Sequence, residues 1–333
     1  MVSFAVLGCG RIGRMHAYNL ARHPDAELVC VHDVVAEAAT LVASALGVRQ
    51  ATSLEDALGD PAVEAVLIAT STDTHVDLII AAVRAGKAVL CEKPIDLDMA
   101  RVLRCRDEIQ PPGSTAMPIV MVGFNRRFDP SYAALRRRVQ AGEIGTVEQV
   151  VITSRDPAPP PLAYIKVSGG LFRDMTIHDF DMARFLVGDI VEVSAFGACL
   201  TDPHIGEAGD IDTAMVTLRA ASGALVHINN SRRCAYGYDQ RLEVFGSTGM
   251  LIAGNRHETS IEAYSATHTR AADPVLHFFI QRYADAYAAE IAHFVECVQN
   301  GNTPLASFQD GLEALALADA AVESLRSGRT VTI

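Results

Sequence analysis

Three short stretches of this sequence combine residue types that could hold a phosphate or move a proton. Gly8-Cys9-Gly10-Arg11-Ile12-Gly13 has the G-x-G-x-x-G form. In that form the first glycine allows a tight turn, the second lets backbone approach a pyrophosphate, and the third lets a helix pack close to a sheet. Asp33 follows 20 residues after Gly13, at the end of an apolar run, where a carboxylate can bond both hydroxyls of an adenosine ribose. A carboxylate there repels a 2′-phosphate, and Val34-Val35 bring no basic residue to neutralise one, so NAD is favoured over NADP. The plainer alternative is a glycine turn beside a surface Asp.

Glu92-Lys93-Pro94 closes another apolar run, which sends Lys93 out from the carboxyl edge of a sheet. Pro94 restricts the backbone, and a cis bond there would fix the direction of the lysine. An ammonium beside a cationic nicotinamide ring would release its proton more readily and could take part in proton exchange. Alone, this lysine reads better as a surface partner of Glu92 than as a catalytic group. Asp174 and His178 lie four residues apart, and helical spacing would place them on one face about 6 Å apart along the axis. Ile177, Phe180 and Leu186 would then face a core. The imidazole suits acceptance of a hydroxyl proton near neutral pH, with the carboxylate orienting and charge-stabilising it. Asp174, His178, Asp179 and Asp181 could instead ligate a metal, but no further ligand converges on them, so no metal is expected; a structural His–Asp pair is the blander reading.

These residues need elements to position them. Short apolar runs at Phe4–Leu7, Glu27–Asp33, Glu64–Ala69, Ala88–Cys91 and Ile119–Gly123 read as strands. Helical stretches at Ile12–Arg22, Ala36–Leu46, Thr74–Ala85 and Leu97–Ile109 separate most of them, and Gly86 suits a helix C-terminus. Strands apolar on both faces, alternating with single helices, imply a parallel sheet with right-handed crossovers. After Pro111-Pro112-Gly113 the pattern changes. Val147–Ser154, Val191–Cys199, Thr213–Arg219, Ala224–Asn230, Arg241–Phe245, Met250–Ala253 and Ser260–Ser265 read as strands. The short turns Ala221-Ser222-Gly223 and Gly246–Gly249 predict hairpins and an antiparallel meander, flanked by helices at Ser131–Ala141, Thr176–Leu186, Phe278–Asn300 and Phe308–Ser327. The expectation is a nucleotide domain over residues 1–124 and a substrate and oligomerisation domain over 125–333, with the active site between them and helix 308–327 packing back on the first. Asp156–Pro161, with four prolines in six residues, reads as a stiff pocket rim.

Composition agrees with a globular protein and argues against other classes. Of 333 residues, 50% are hydrophobic and 20% charged, enough to bury sizeable cores. The formal charge of −12 argues against nucleic acid and anionic membrane, and the run Arg136-Arg137-Arg138 reads as a solvated helix face. No apolar segment approaches the roughly 18–20 residues that span a bilayer, and the first residues read as a strand rather than a signal peptide. The seven cysteines are scattered with no C-x-x-C pair, which predicts free thiols, a reducing cytoplasm and no structural zinc.

Taken together, GCGRIG, AGKAVLCEKP at 85–94, GFNRRFD at 123–129, GGLFRDMTIHDFD at 169–181 and the closing GLEALALADAAVES resemble the Gfo/Idh/MocA family of NAD(P)-dependent oxidoreductases across essentially the whole chain. SRDPAPPP at 154–161 and SGGLFRDMTIHDFDMARFL at 168–186 are similar to its inositol-oxidising branch. The resemblance implies an α/β fold, an N-terminal Rossmann domain plus a C-terminal α+β domain with a large, mostly antiparallel sheet, in a homotetramer. It implies Lys93, Asp174 and His178 as catalytic residues. NAD contacts are implied at Gly8, Gly10, Arg11, Ile12, Gly13, Asp33, Thr70, Ser71, His75, Glu92 and Lys93. Polyol contacts are implied at Lys93, Arg127, Asp156, Asp174, His178 and Tyr236, with Tyr238 a close neighbour of the last. Ala88 where many members have His, and Ala69-Thr70-Ser71 in place of A-T-P, are mild departures. The alternatives are another inositol isomer or an aldose as substrate, or a non-catalytic NAD-binding sensor, which would be expected to lose Lys93 or His178.

Overall fold

The computed structural model describes residues 1–110 and 118–333, so the Pro111-Pro112-Gly113 break lies outside the described residues. The chain divides into two units, Met1–Phe128 with Ala286–Leu315, and Asp129–Asp285 with Ala316–Ile333, where the sequence suggested a single cut after residue 124.

In the first unit, β1 (Val2–Leu7), β2 (Ala26–His32), β3 (Arg49–Gln50), β4 (Ala65–Ile68), β5 (Ala88–Cys91) and β6 (Val120–Val122) form a parallel sheet in the order β3-β2-β1-β4-β5-β6. Every residue of β4 and β6 is buried, as expected of Val- and Ile-rich strands covered on both faces. Helices α1 (Arg11–Arg22), α2 (Ala36–Leu46), α3 (Leu54–Leu58), α4 (His75–Arg84) and α5 (Met99–Ile109) connect the strands. Asp98 sets the start of α5 by accepting the N–H of Ala100, two residues later than the apolar pattern suggested. Sequence reading missed β3 and α3, because Arg49-Gln50 is too short and polar to show a pattern and α3 has only five residues. Strand order reverses between β1 and β4, so the loops after these strands diverge at the carboxyl edge and leave a crevice there. The later helix Ala284–Asn300 belongs to this unit from residue 286 because it packs on the sheet, with Phe294 5.9 Å from Phe4 between ring centroids.

The second unit holds α6 (Pro130–Gln140), β7 (Val147–Arg155), α7 (Leu162–Ile165), α8 (Ile177–Val187), β8 (Ile190–Ala198), α9 (Pro203–Glu207), β9 (Thr213–Ala220), β10 (Leu225–Ser231), β11 (Asp239–Gly246) and β12 (Gly249–Ala253). With β15 (Val331–Thr332) they give a seven-stranded sheet, β12-β11-β7-β10-β9-β8-β15. The expected hairpins form at β9–β10 and β11–β12. The simple meander does not: β7 inserts between β10 and β11 and runs parallel to β10. Residues 232–238 carry the chain across β7 instead of turning back in a tight hairpin. Along β9, Ala214, Val216, Leu218 and Ala220 point inward and alternate with more exposed residues, as a sheet covered on one face requires. The strand expected at Ser260–Ser265 shrinks to β13 (Glu262–Ala263), paired with β14 (Ala271–Ala272) in a separate exposed ribbon. The single helix expected over 278–300 breaks at Tyr283 into α10 (Phe279–Arg282) and α11 (Ala284–Asn300); α12 (Phe308–Ser327) follows. Arg282 explains the break's position: it is buried, ion-paired with Asp129 and stacked 4.7 Å from the Tyr283 ring centroid.

Candidate active site

Backbone makes the first group of functional positions. Gly8 leaves β1 with φ +93°, and a Cβ there would lie 2.5 Å from the Ala69 carbonyl oxygen. A Cβ on Gly13 would sit 1.8 Å from the Gly8 carbonyl oxygen, so the helix packs close only because the side chain is missing. At Gly10 a Cβ would meet nothing within 4 Å, which leaves room for a ligand above the turn. Gly10 also offers α1 no side-chain cap, so the first-turn N–H groups face that space with the positive end of the helix dipole. The Asp33 carboxylate accepts Cys9 N–H at 2.6 Å and Val35 N–H at 2.8 Å, one on each oxygen. It is thereby held at the end of β2 with lone pairs left for ribose hydroxyls. Burial, then the Asp33 charge, push the Cys9 thiol up to about 12, so it stays protonated and inert. These features fit a dinucleotide whose pyrophosphate rests on Gly10, Arg11 and Ile12 and whose ribose meets Asp33.

Farther along the same edge, Thr70 and Ser71 follow β4, and Thr70 Oγ1 lies 2.7 Å from Thr74 Oγ1. His75 is buried, with Nδ1 2.8 Å from the Pro94 carbonyl and Nε2 3.2 Å from that of Thr70. Its ring therefore ties the loop after β4 to the loop after β5; burial lowers its proton affinity although both carbonyls act the other way. Glu92 Oε1 pairs with His16 Nε2 at 2.8 Å, and the His16 ring meets Tyr287 edge-on at 5.5 Å. A Cβ on Gly123 would come within 2.9 Å of Glu92 Oε2, so that carboxylate occupies a slot which only glycine leaves open. Glu290 is fully buried, and among the described residues neither of its carboxyl oxygens has a hydrogen-bond partner. Burial, then the charge of Glu92, push its pKa well above the usual carboxylate range, so it is a neutral acid. Lys93 is half-buried, and the Lys93–Pro94 peptide is cis. Arg127 is buried, donating to the Leu305 carbonyl and, at 3.0 Å, to Asp310.

Side chains make the second group. Phe172–Thr176 is a π-helical turn that runs into α8, not the regular α-helix that the spacing of Asp174 and His178 suggested. Because an i→i+5 turn is wider than an α turn, the four-residue separation still keeps the two residues within one turn. Asp174 Oδ1 accepts the Tyr164 hydroxyl at 2.8 Å, and Oδ2 accepts Arg232 Nη1 at 3.1 Å. Arg232 is 1% exposed, and its Nη2 lies 3.6 Å from Asp210 Oδ2. Asp210 in turn accepts the Leu171 N–H at 3.0 Å, and Gly170, at φ +83°, lets it come that close. His178 is half-buried in the first turn of α8. Beside it, the buried Asp179 accepts Ser154 Oγ at 2.6 Å and Asn230 Nδ2 at 2.8 Å, while Asn230 Oδ1 accepts Thr176 Oγ1 at 2.7 Å. This network pins the residues flanking His178 to β7 and β10. As the pattern required, Ile177, Phe180 and Leu186 are buried.

Asp156 is half-buried, its N–H bonded to the Ser231 carbonyl at 2.9 Å. Tyr236 donates to Asp239 at 2.6 Å and accepts Arg155 at 3.0 Å, whereas Tyr238 is buried against Tyr283. Sequence reading missed Tyr164, Asp210 and Arg232. No local motif singles them out, because they lie far apart in the sequence. Among the described residues, no group of three or more His, Cys, Asp or Glu could hold a metal ion.

A parallel sheet ordered β3-β2-β1-β4-β5-β6, with a glycine turn at its switch point and an acidic residue just past the end of the neighbouring β2, together with the matching family model, defines an NAD-binding Rossmann oxidoreductase. Residues 2–110 match the oxidoreductase family model described as an NAD-binding Rossmann fold, and residues 132–252 match the GFO/IDH/MocA C-terminal domain. The chain belongs to the Gfo/Idh/MocA family. It is 51% identical over 336 residues to inositol 2-dehydrogenase of Rhizobium meliloti (strain 1021), covering 100% of this chain and 99% of that one. The crystal structure of a myo-inositol dehydrogenase from Corynebacterium glutamicum ATCC 13032 superposes with TM-score 0.96 at 49% identity, covering 100% and 99% of the two chains. Myo-inositol dehydrogenase from Lactobacillus casei, solved in complex with NAD(H) and myo-inositol, gives TM-score 0.86 at 25% identity over 100% and 97%.

Proposed function

We propose that the protein is an NAD-dependent inositol 2-dehydrogenase, which oxidises one secondary alcohol of myo-inositol to give 2-keto-myo-inositol. The observation that carries this reading is full-length identity of 51% to a protein of that name in a chain that keeps Lys93, Asp174 and His178. NAD⁺, when bound, supplies the hydride acceptor. His178 takes the proton of the reacting hydroxyl as general base. Asp174, held by Tyr164 and Arg232, orients the imidazole and stabilises its charged form. Lys93 hydrogen-bonds the reacting oxygen and relays the proton. Arg127, Asp156 and Tyr236 read the remaining hydroxyls, since paired polar contacts separate stereoisomers far better than apolar ones. Thr70, Ser71, His75 and Glu92 shape the nicotinamide end.

The enzyme works as a homotetramer in the cytoplasm, on a route that degrades the polyol. Support for assembly comes from the open face of the second sheet, where register sets Phe196 opposite Met215 and Phe245 opposite Met250, all exposed. Free thiols at all seven cysteines suit a reducing compartment, and no described helix is long and apolar enough to cross a membrane. The test is NADH formation with myo-, scyllo- and chiro-inositol and with glucose. The highest kcat/KM is expected for myo-inositol, and no turnover with any cyclic polyol would end the assignment.

A further inference from the structure

Tyr164 has no role in the reaction as set out above beyond steadying Asp174, yet its surroundings suit a ligand. It lies on α7, directly after Pro159-Pro160-Pro161, and a run of prolines fixes φ and stiffens the arm that presents it. Its carbonyl accepts N–H groups from Val167 and Ser168, so the turn is tied down on both sides. The residue is 47% exposed while its hydroxyl is turned onto Asp174 Oδ1 at 2.8 Å. An ionised carboxylate only accepts, so the phenol must spend its single proton on that bond. No described residue donates to the phenol oxygen, which keeps its acceptor capacity. Burial, then the Asp174 charge, push the phenol well above its usual range, so it remains a neutral donor at any working pH. Asp156 lies near enough for its charge to act on the same phenol.

We propose that Tyr164 is a specificity-determining residue whose oxygen accepts a hydrogen bond from the polyol hydroxyl next to the one oxidised. This rests on the inositol 2-dehydrogenase reading. In this proposal Asp174 orients the base that takes the reacting proton, and Tyr164, bonded to the same carboxylate and within reach of the Asp156 charge, meets the adjacent hydroxyl. Tyr164, 47% exposed, offers a ring for the C–H side of a cyclic polyol to pack on in this proposal. The hydroxyl is thus a relay of recognition: proton to Asp174, lone pair to substrate.

The test compares wild type with Tyr164→Phe on myo-inositol and on its analogue lacking the hydroxyl beside the reacting carbon. Expected for Tyr164→Phe is about a tenfold rise in KM for myo-inositol, the scale of one hydrogen bond, with NAD⁺ KM unchanged; kcat falls as well, because Asp174 loses the hydroxyl that holds it. Calorimetric Kd for myo-inositol should weaken by the same factor. The analogue should lose about tenfold against wild type and nothing further against the variant. Equal losses of the analogue on both enzymes, or an effect confined to kcat, would overturn the proposal and leave Tyr164 a steadying group for Asp174. Should Tyr164→Phe melt early, Tyr164→Leu with the analogue closes the same cycle. Wild type inert towards every cyclic polyol would remove the underlying reading as well, whereas an active wild type with a flat cycle removes only the inference.

Discussion

The two units position polar groups by opposite means. Around Gly8–Gly13 and Asp33, geometry comes from main chain: missing side chains, N–H groups and a carboxylate clasped by backbone. Around Asp174 it comes from side chains brought from four separate places, Tyr164, Asp174, Asp210 and Arg232. A backbone-built site tolerates almost no added atom but changes little in charge. A side-chain-built one tolerates volume but depends on every charge being matched. In the proposed reading the first holds a ligand common to many enzymes, and the second distinguishes one ring of hydroxyls from another.

Substitutions can break that contrast. Gly13→Ala should have the largest effect, because its Cβ would stand 1.8 Å from the Gly8 carbonyl; NADH binding followed by fluorescence should be lost and the melting temperature should fall sharply. If Gly13→Ala binds NADH normally, the backbone description of unit one is wrong. Arg232→Met comes next. It leaves Asp174 and Asp210 facing each other without their cation and should cost about 3–5 kcal/mol in urea unfolding. A cost below about 1 kcal/mol would mean that solvent supplies the missing partner. Lys93→Ala and His178→Ala should each lower kcat at least about a hundredfold with folding intact, and a near-normal kcat in either removes that residue from the chemistry.

Glu290→Gln sharpens the comparison from the other side, since it probes a carboxyl that burial in unit one keeps protonated. Glu290 is raised in the folded state by burial and by Glu92, so it is neutral there while ionised in the unfolded chain above the ordinary carboxylate range. Wild-type stability should therefore fall as pH rises from about 4.5 towards the raised value, and the amide variant should lack this decline. The effect is one of slope, read from denaturation midpoints across pH. Parallel curves for the two proteins would show that Glu290 ionises freely in the fold.

The same contrast explains what could be read from the sequence. The glycine turn, Asp33, Glu92-Lys93-Pro94 and the apolar strands of the first unit are local patterns, and each was visible in a few consecutive residues. Lys93, Asp174 and His178 could be singled out because short motifs contain them. Tyr164, Asp210 and Arg232 could not, because folding alone brings residues 164, 174, 210 and 232 together. The insertion of β7 beside β10 and the return of residues 286–315 to the first unit are likewise long-range pairings without a local signature. The π turn at Phe172–Thr176 escaped for a different reason: its residues have ordinary helical character, and only the packing of Asp179 and Thr176 on β7 and β10 reveals the extra residue.

That surplus residue makes chain length itself a functional variable. Removing one amino acid between Gly170 and Asp179 would let the segment relax into an uninterrupted α-helix, with better-aligned amide bonds. It would also swing everything upstream by about 100° around the axis. The Asp174 carboxylate, which the proposed function makes catalytic, would then be aimed elsewhere by a shorter and more comfortable helix, so improvement of the local backbone and loss of the proposed catalyst would be the same event.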